Sequence, residues 1–136
     1  IDGSIDIKGN ITTSNPSKGL VLVVKNNVNI DKTVTRIDAV IISSGIIYTA
    51  AYFTNNPPSC SHGSPVTASQ LIVNGSLISL KQPPVTNPDA SYIEFCRTLG
   101  AGNNTTPAEK INQQPKYLVI LRNLFSDTLQ KWSEIQ

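Results

Sequence analysis

One short pattern recurs along this 136-residue chain: an apolar, β-branched run, a Gly/Asn/Ser step, then further apolar residues. It is written IDIKGNI at Ile5 to Ile11, LVVKNNVNI at Leu22 to Ile30, VIISSGII at Val40 to Ile47 and LIVNGSLISL at Leu71 to Leu80. β-branched runs suit pleated, buried surfaces, and Gly and Asn tolerate the backbone of tight corners. Similar units in series predict a stack of short strands joined by corners, with like residues lying over like residues in a core ladder. Taking the residue after each break, Ile11, Val28, Ile46 and Leu77, the steps are 17, 18 and 31 residues. The long third step is assigned to an insertion at 55–65, which contains Pro57, Pro58, Cys60 and Gly63.

The expected fold class is therefore all-β: a right-handed parallel β-helix, or solenoid, with loop excursions and a C-terminal helical cap. The alternative is a β-sandwich of the immunoglobulin type, for which Asn74-Gly75 would supply a hairpin turn. We expect one domain over 1–136. Coils occupy 1–80, a loop-rich excursion punctuated by prolines occupies 81–116, and a cap occupies 117–136. Leu20 to Val24 reads as a strand buried on both faces. Val34 to Ile42 reads as one strand region, and Tyr92 to Phe95 as a short strand. Tyr117, Leu118, Leu121, Leu124, Phe125, Leu129 and Trp132 fall near helical spacing, with Ser126 or Asp127 placed to restart a helix as an N-cap. Such a helix would lie over an end or side of the stack and hide strand edges.

Charged residues are 15% of the chain and net charge is +2, with lysines and arginines scattered singly. That lacks the basic footprint of a nucleic-acid binder. No apolar run reaches the length that spans a bilayer; the longest, Ala39 to Ala51, is broken by Ser43, Ser44 and Gly45. The chain contains no Met and starts at Ile1, so we expect a processed chain or a piece of a longer protein.

Cys60 and Cys96 are the two cysteines. An even pair in a Ser/Thr/Asn-rich chain favours a disulfide and an oxidising, extracellular compartment. Closing a loop of that length would stabilise by about 3–4 kcal/mol. His62 is the sole histidine, and Cys60-Ser61-His62 lacks a second ligand pair for a metal. No nucleophile elbow or phosphate-cradling loop is present. The acids Asp2, Asp6, Asp31, Asp38, Asp89, Glu94, Glu109, Asp127 and Glu134 do not fall into the stacked pair that glycoside cleavage requires. Arg36 and Asp38 flank Ile37 on one strand face and suit a structural ion pair. Arg97 is placed to bond loop carbonyls. Asn10, Asn74, Asn103 and Asn104 head glycosylation sequons, and Asn10 and Asn74 are also explained as corner residues.

The VVKNNVNI, RIDAVIISSGIIYTA, LIVNGSLISL and RTLG segments, the Pro-rich link and the terminal Trp-Ser-Glu-Ile resemble β-solenoid domains near the C-termini of uncharacterised bacterial cell-surface proteins. That likeness spans Ile5 to Gln136. The coil pattern over Ile5 to Ile47 and Leu71 to Leu80 is also similar to that of the bactofilins, a polymer-forming right-handed β-helix family. The first resemblance implies an extracellular, structural role without catalytic residues. The expected function is a non-enzymatic structural or adhesive module of a surface protein or filament, without cofactor or metal. Neighbouring subunits, including further copies of the chain, or surface glycans would be its partners. The alternatives are a carbohydrate-binding or carbohydrate-active β-helix and a bactofilin-like polymer.

Overall fold

The computed structural model describes residues 1–15, 17–51, 66–82 and 92–129. The expected insertion 55–65, with Cys60 and His62, lies outside these residues. In the described chain the strands are β1 Ile5–Ile7, β2 Leu20–Val24, β3 Val28–Ile30, β4 Arg36–Ile37, β5 Ala39–Ser43 and β6 Ile47–Tyr48. They continue as β7 Val66–Thr67, β8 Leu71–Asn74, β9 Ser76–Ser79, β10 Ile93–Glu94, β11 Arg97–Thr98 and β12 Glu109–Asn112. One α-helix, α1 Pro115–Leu129, follows.

All eight strand pairings among these residues are parallel. The first sheet has the order β1-β3-β6-β10, the second β12-β8-β4, the third β2-β5-β9, and a fourth pairs β11 with β7. Ile11 adds a further rung to the second sheet through a parallel bridge to Ile37. From β4 onward the chain visits the second, third and first sheets in that order, then repeats the circuit with the fourth sheet inserted. Parallel neighbours cannot be joined by tight hairpins. The antiparallel immunoglobulin-type sandwich is thereby set aside, and Asn74-Gly75 joins strands of two different sheets instead of turning a hairpin.

The register stacks like over like. Ile5, Val28, Ile47 and Ile93 form one column; Ile11, Ile37, Val73 and Ile111 form another; Leu22, Ile41 and Leu77 form a third. The inward members fuse into one core with Val24, Ile30, Val34, Ala39 and Leu71. Full burial of each such side chain is worth about 1.5–3 kcal/mol.

The spacing expected from the breaks is corrected here. Ile11, Val28 and Leu77 belong to the second, first and third sheets respectively, so their intervals compare different corners. True equivalents lie 19 residues apart from Val28 to Ile47, but 23 from Ile5 to Val28 and 36 from Val40 to Ser76. The strand region at Val34 to Ile42 is two strands, with Asp38 at the corner between them. β2 lies at the edge of its sheet and leaves Val23 53% exposed; it is β5 that is buried on both faces. The span 81–116, read as an excursion, carries β10, β11 and β12, each laid in parallel on an earlier strand. The strand expected at Tyr92 to Phe95 is present as β10; the prolines and glycines hid β11 and β12, which take their order from neighbours rather than from their own propensity.

The helix is placed on a side of the stack. Tyr117, Ile120 and Leu121 pack on Val21, Val40, Ile42 and Ile78, the outward-facing residues of the third sheet. Pro115 occupies the first helical position, where its missing N–H costs nothing. The helix runs without interruption through Ser126 and Asp127, so neither restarts it. Gly19 makes the close approach possible, because a Cβ there would meet the Tyr117 ring and the Ile120 methyl group.

Gly75 is the tightest corner: a Cβ would run into the Ala39 carbonyl of the neighbouring strand. Gly75→Ala is expected to destabilise by about 3 kcal/mol, as forced overpacking does. Gly9→Ala, whose Cβ would enter open space, is expected to shift stability by under about 1 kcal/mol. Urea unfolding of the two variants checks this, and equal midpoints would refute the placement of the corner.

Candidate functional site

Two polar constellations interrupt the apolar core, and the first arises because parallel register lays an acid or amide over an amide from strand to strand. The first stands at the corner between the second and third sheets. Asp38, Asn74 and Asn112 each end the apolar column of Ile37, Val73 and Ile111. The Asn74 side-chain amide donates to Asp38 Oδ1 at 2.8 Å, and the Asn112 amide donates to Asn74 Oδ1 at 3.1 Å. The Asp38 carboxylate also accepts the Thr13 N–H at 3.2 Å and both Nε and Nη2 of Arg36, at 2.9 and 3.1 Å. Asp38 is 3% exposed. Burial alone would push its carboxyl up. The hydrogen bonds from Arg36, Asn74 and Thr13, joined by the Arg36 charge, outweigh burial and hold it down at about 2.

A cleft of about 360 Å³ opens beside this ladder, lined by Thr13, Ser14, Arg36, Asp38, Asn74, Gln114 and Lys116. Its walls come from the loop before β2, the β4–β5 corner, the end of β8 and the start of α1. The Lys116 ammonium is anchored by the Lys18 carbonyl at 3.0 Å, which ties the helix end to that loop. The nearby Tyr117 phenol is pushed up by burial and, secondarily, by the Asp38 charge.

The second constellation centres on Arg97, 4% exposed. Its guanidinium donates to the carbonyls of Thr49 at 2.6 Å, Ser69 at 2.8 Å, Asp31 at 2.8 Å and Lys32 at 3.3 Å. It thus ties together chain segments that precede β4, follow β6 and follow β7. Burial lowers Arg97 to about 10, against the opposing pull of Glu109 and Asp31, so it remains charged at neutral pH. Glu109 Oε1 accepts the Thr49 hydroxyl at 2.6 Å and the Arg97 N–H at 3.1 Å. Thr49 Oγ1 in turn accepts the Cys96 N–H at 2.9 Å.

The expected pairing of Arg36 with Asp38 is present, and Arg97 bonds carbonyls as anticipated. Cys96 is buried beside Tyr48, Ala50, Ala51 and Val66; Cys60 lies outside the described residues, as does His62. The amides of Asn10 and Asn74 are engaged at corners: Asn10 bonds Thr35 and the Arg36 N–H, and Asn74 joins the ladder. Asn103 bonds Thr98 and the Leu99 N–H. Sequence reasoning missed Thr49, Gln114 and Lys116, and gave Glu109, Asn74 and Asn112 no joint role. A trace existed in the shared step Ile37-Asp38, Val73-Asn74 and Ile111-Asn112, an apolar residue followed by an acid or amide. Among the described residues no three His, Cys, Asp or Glu side chains gather as a metal site.

Comparison of the chain with protein-family models, with curated proteins and with solved structures finds no match in any of the three. The site is therefore interpreted from its own chemistry.

Two consequences are measurable. Asp38 has a folded pKa near 2 against an ordinary value of 3.8. Its ionised form therefore stabilises the fold above the ordinary value, and that contribution disappears as pH falls through the folded one. It amounts to about 2 kcal/mol. In urea titrations, the stability gap between the native chain and Asp38→Asn should shrink between about pH 4 and pH 2; a constant gap would contradict the assignment. Arg97→Met should cost at least about 3 kcal/mol, since it strands buried carbonyls, whereas Lys110→Met on an exposed strand position should cost under about 0.5 kcal/mol.

Proposed function

We propose that the chain is a non-enzymatic structural or adhesive module of a bacterial cell-surface protein, folded as a right-handed parallel β-solenoid. The observation that carries this reading is the Asp38–Asn74–Asn112 ladder within wholly parallel sheets. Side chains that an enzyme would present to substrate here bond the strand above or below. Asp38 is saturated with donors and ionised far below neutrality, which suits neither a general acid nor a general base near pH 7. Stacked apolar columns give a stiff body whose length grows with each circuit, a property useful in a spacer or stalk. The recurring order in which the chain visits its sheets supports the solenoid, and the Ser/Thr/Asn-rich composition supports an extracellular setting.

The reading includes a Cys60–Cys96 disulfide. Cys96 sits at 5% exposure in an apolar cluster, where a bond to the intervening loop would pin it against β6 and β7. The bactofilin-like alternative is favoured by one feature: among the described residues, β1 stands at an edge of the first sheet and β2 and β9 at the two edges of the third. Sheet edges are templates for pairing with another copy.

Negative-stain electron microscopy of the purified chain separates these readings. Discrete particles of uniform size are expected, and unbranched filaments would instead select the polymer. Alkylation of the denatured, unreduced chain followed by intact-mass measurement should add no label, and two labels should appear after reduction. Labelling without reductant would remove the argument for an oxidising compartment.

A further inference from the structure

We propose that the cleft between Thr13–Ser14, the Arg36–Asp38 corner, Asn74 and the start of α1 binds the carboxylate of a uronic-acid-type sugar. This goes beyond the structural role above and does not depend on it, because a spacer without ligand would have the same ladder.

The groups that line the cleft divide into used and available donors. Asp38 and Asn74 form its floor, and their oxygens and amide are taken up by the ladder, Arg36 and Thr13. The floor is therefore fixed before any ligand arrives, which removes ordering cost from binding. The walls hold the available groups. Arg36 is 53% exposed at its side chain and directs Nε and Nη2 to Asp38, leaving Nη1 for a second partner. Lys116 has three ammonium protons and gives one to the Lys18 carbonyl. Ser14 and Thr13 add hydroxyls, and Gln114 adds an amide. The N-terminal end of α1 contributes partial positive charge at the same wall.

Charge selects the class of ligand. Arg36 and Lys116 supply two positive charges, and Asp38 removes one, so the cleft is left with a single uncompensated positive charge. A monoanion balances it. A phosphate dianion would overcompensate and would face the ionised Asp38, and like charges repel at this range in a partly desolvated site. A neutral sugar would leave the cationic wall unmatched. Shape selects further: at about 360 Å³ the cleft lies near the small end of the usual range for ligand sites, which fits one sugar ring rather than an extended chain. The carboxylate would lie between Arg36 Nη1 and Lys116, with ring hydroxyls toward Ser14, Thr13 and Gln114.

The test titrates the full chain with glucuronate, with glucose and with inorganic phosphate, followed by amide chemical shifts in NMR. Glucuronate should give saturable, millimolar-range shifts confined to Thr13, Ser14, Arg36, Gln114 and Lys116. Glucose should bind about tenfold more weakly, a difference of about 1.4 kcal/mol. Lys116→Gln should weaken glucuronate about fivefold and erase most of its salt dependence; its amide can still donate to the exposed Lys18 carbonyl, so the urea midpoint should fall only slightly. Gln114→Ala should weaken glucuronate and glucose alike. Absence of saturable shifts at these residues would overturn the proposal, as would equal affinity for glucose and glucuronate. Phosphate binding more tightly than glucuronate would overturn the assignment of a carboxylate ligand.

Discussion

Every feature of this fold depends on parallel, in-register pairing between strands that are far apart in the chain. Once Val28 hydrogen-bonds its way onto Ile47 and Val73 onto Ile37, the inward side chains of these strands meet their own kind. Apolar columns then bury one another continuously, and a polar residue at one level needs a polar partner at the next. The Asp38–Asn74–Asn112 series satisfies that requirement. So do the Asn29 amide bonded to Asp6 at 2.9 Å and the Asn10–Thr35 pair one corner away. The same rule acts on the backbone: Gly75 is needed because the next strand's carbonyl occupies the space of its missing side chain.

Arg97 solves a different problem. Circuits of unequal length leave carbonyls at the irregular corners that no sheet can pair. One guanidinium reaches four of them, from residues spread between Asp31 and Ser69. A buried cation is expensive unless its donors are satisfied, and here Glu109 lies close enough to lend charge compensation as well. The corner that absorbs the long connections is thus held by electrostatics, whereas the regular corners are held by amide stacking and close packing.

The local elements were legible in the sequence where a residue's own chemistry decides. β-branched runs marked β2, β5 and β8; Asn26-Asn27, Ser43-Ser44-Gly45 and Asn74-Gly75 marked corners; the spacing of Tyr117 and Leu121 marked α1. The pairing scheme was not legible, because corners between different sheets use the same Gly, Asn and Ser residues. Ile11 and Val28 therefore looked equivalent although they lie on different sheets. The strand at Tyr92 to Phe95 was legible and is β10, whereas β11 and β12 were concealed because two to four residues carry too little pattern to stand out. Of the site, Arg36, Asp38 and Arg97 were visible, since two of them share a strand face and the third adjoins a cysteine. Gln114 and Lys116 were not, because they reach the corner only once the helix is laid on the third sheet.

The placement of α1 has a consequence for how the protein is made. Val40 and Ile42 face outward from β5 and are covered by a helix that begins only at Pro115. During synthesis the outer face of that sheet stays wet until roughly seventy more residues have been added, several seconds at about 5–20 residues per second. Once β9 has been made, the nascent chain displays the apolar outer face of β5 with neighbours on either side. Emergence of α1 is therefore the event that converts a sticky intermediate into a covered surface. A ribosome stalled, or a chain cut, before Tyr117 would release a product that is correctly paired within its sheets and still prone to clump.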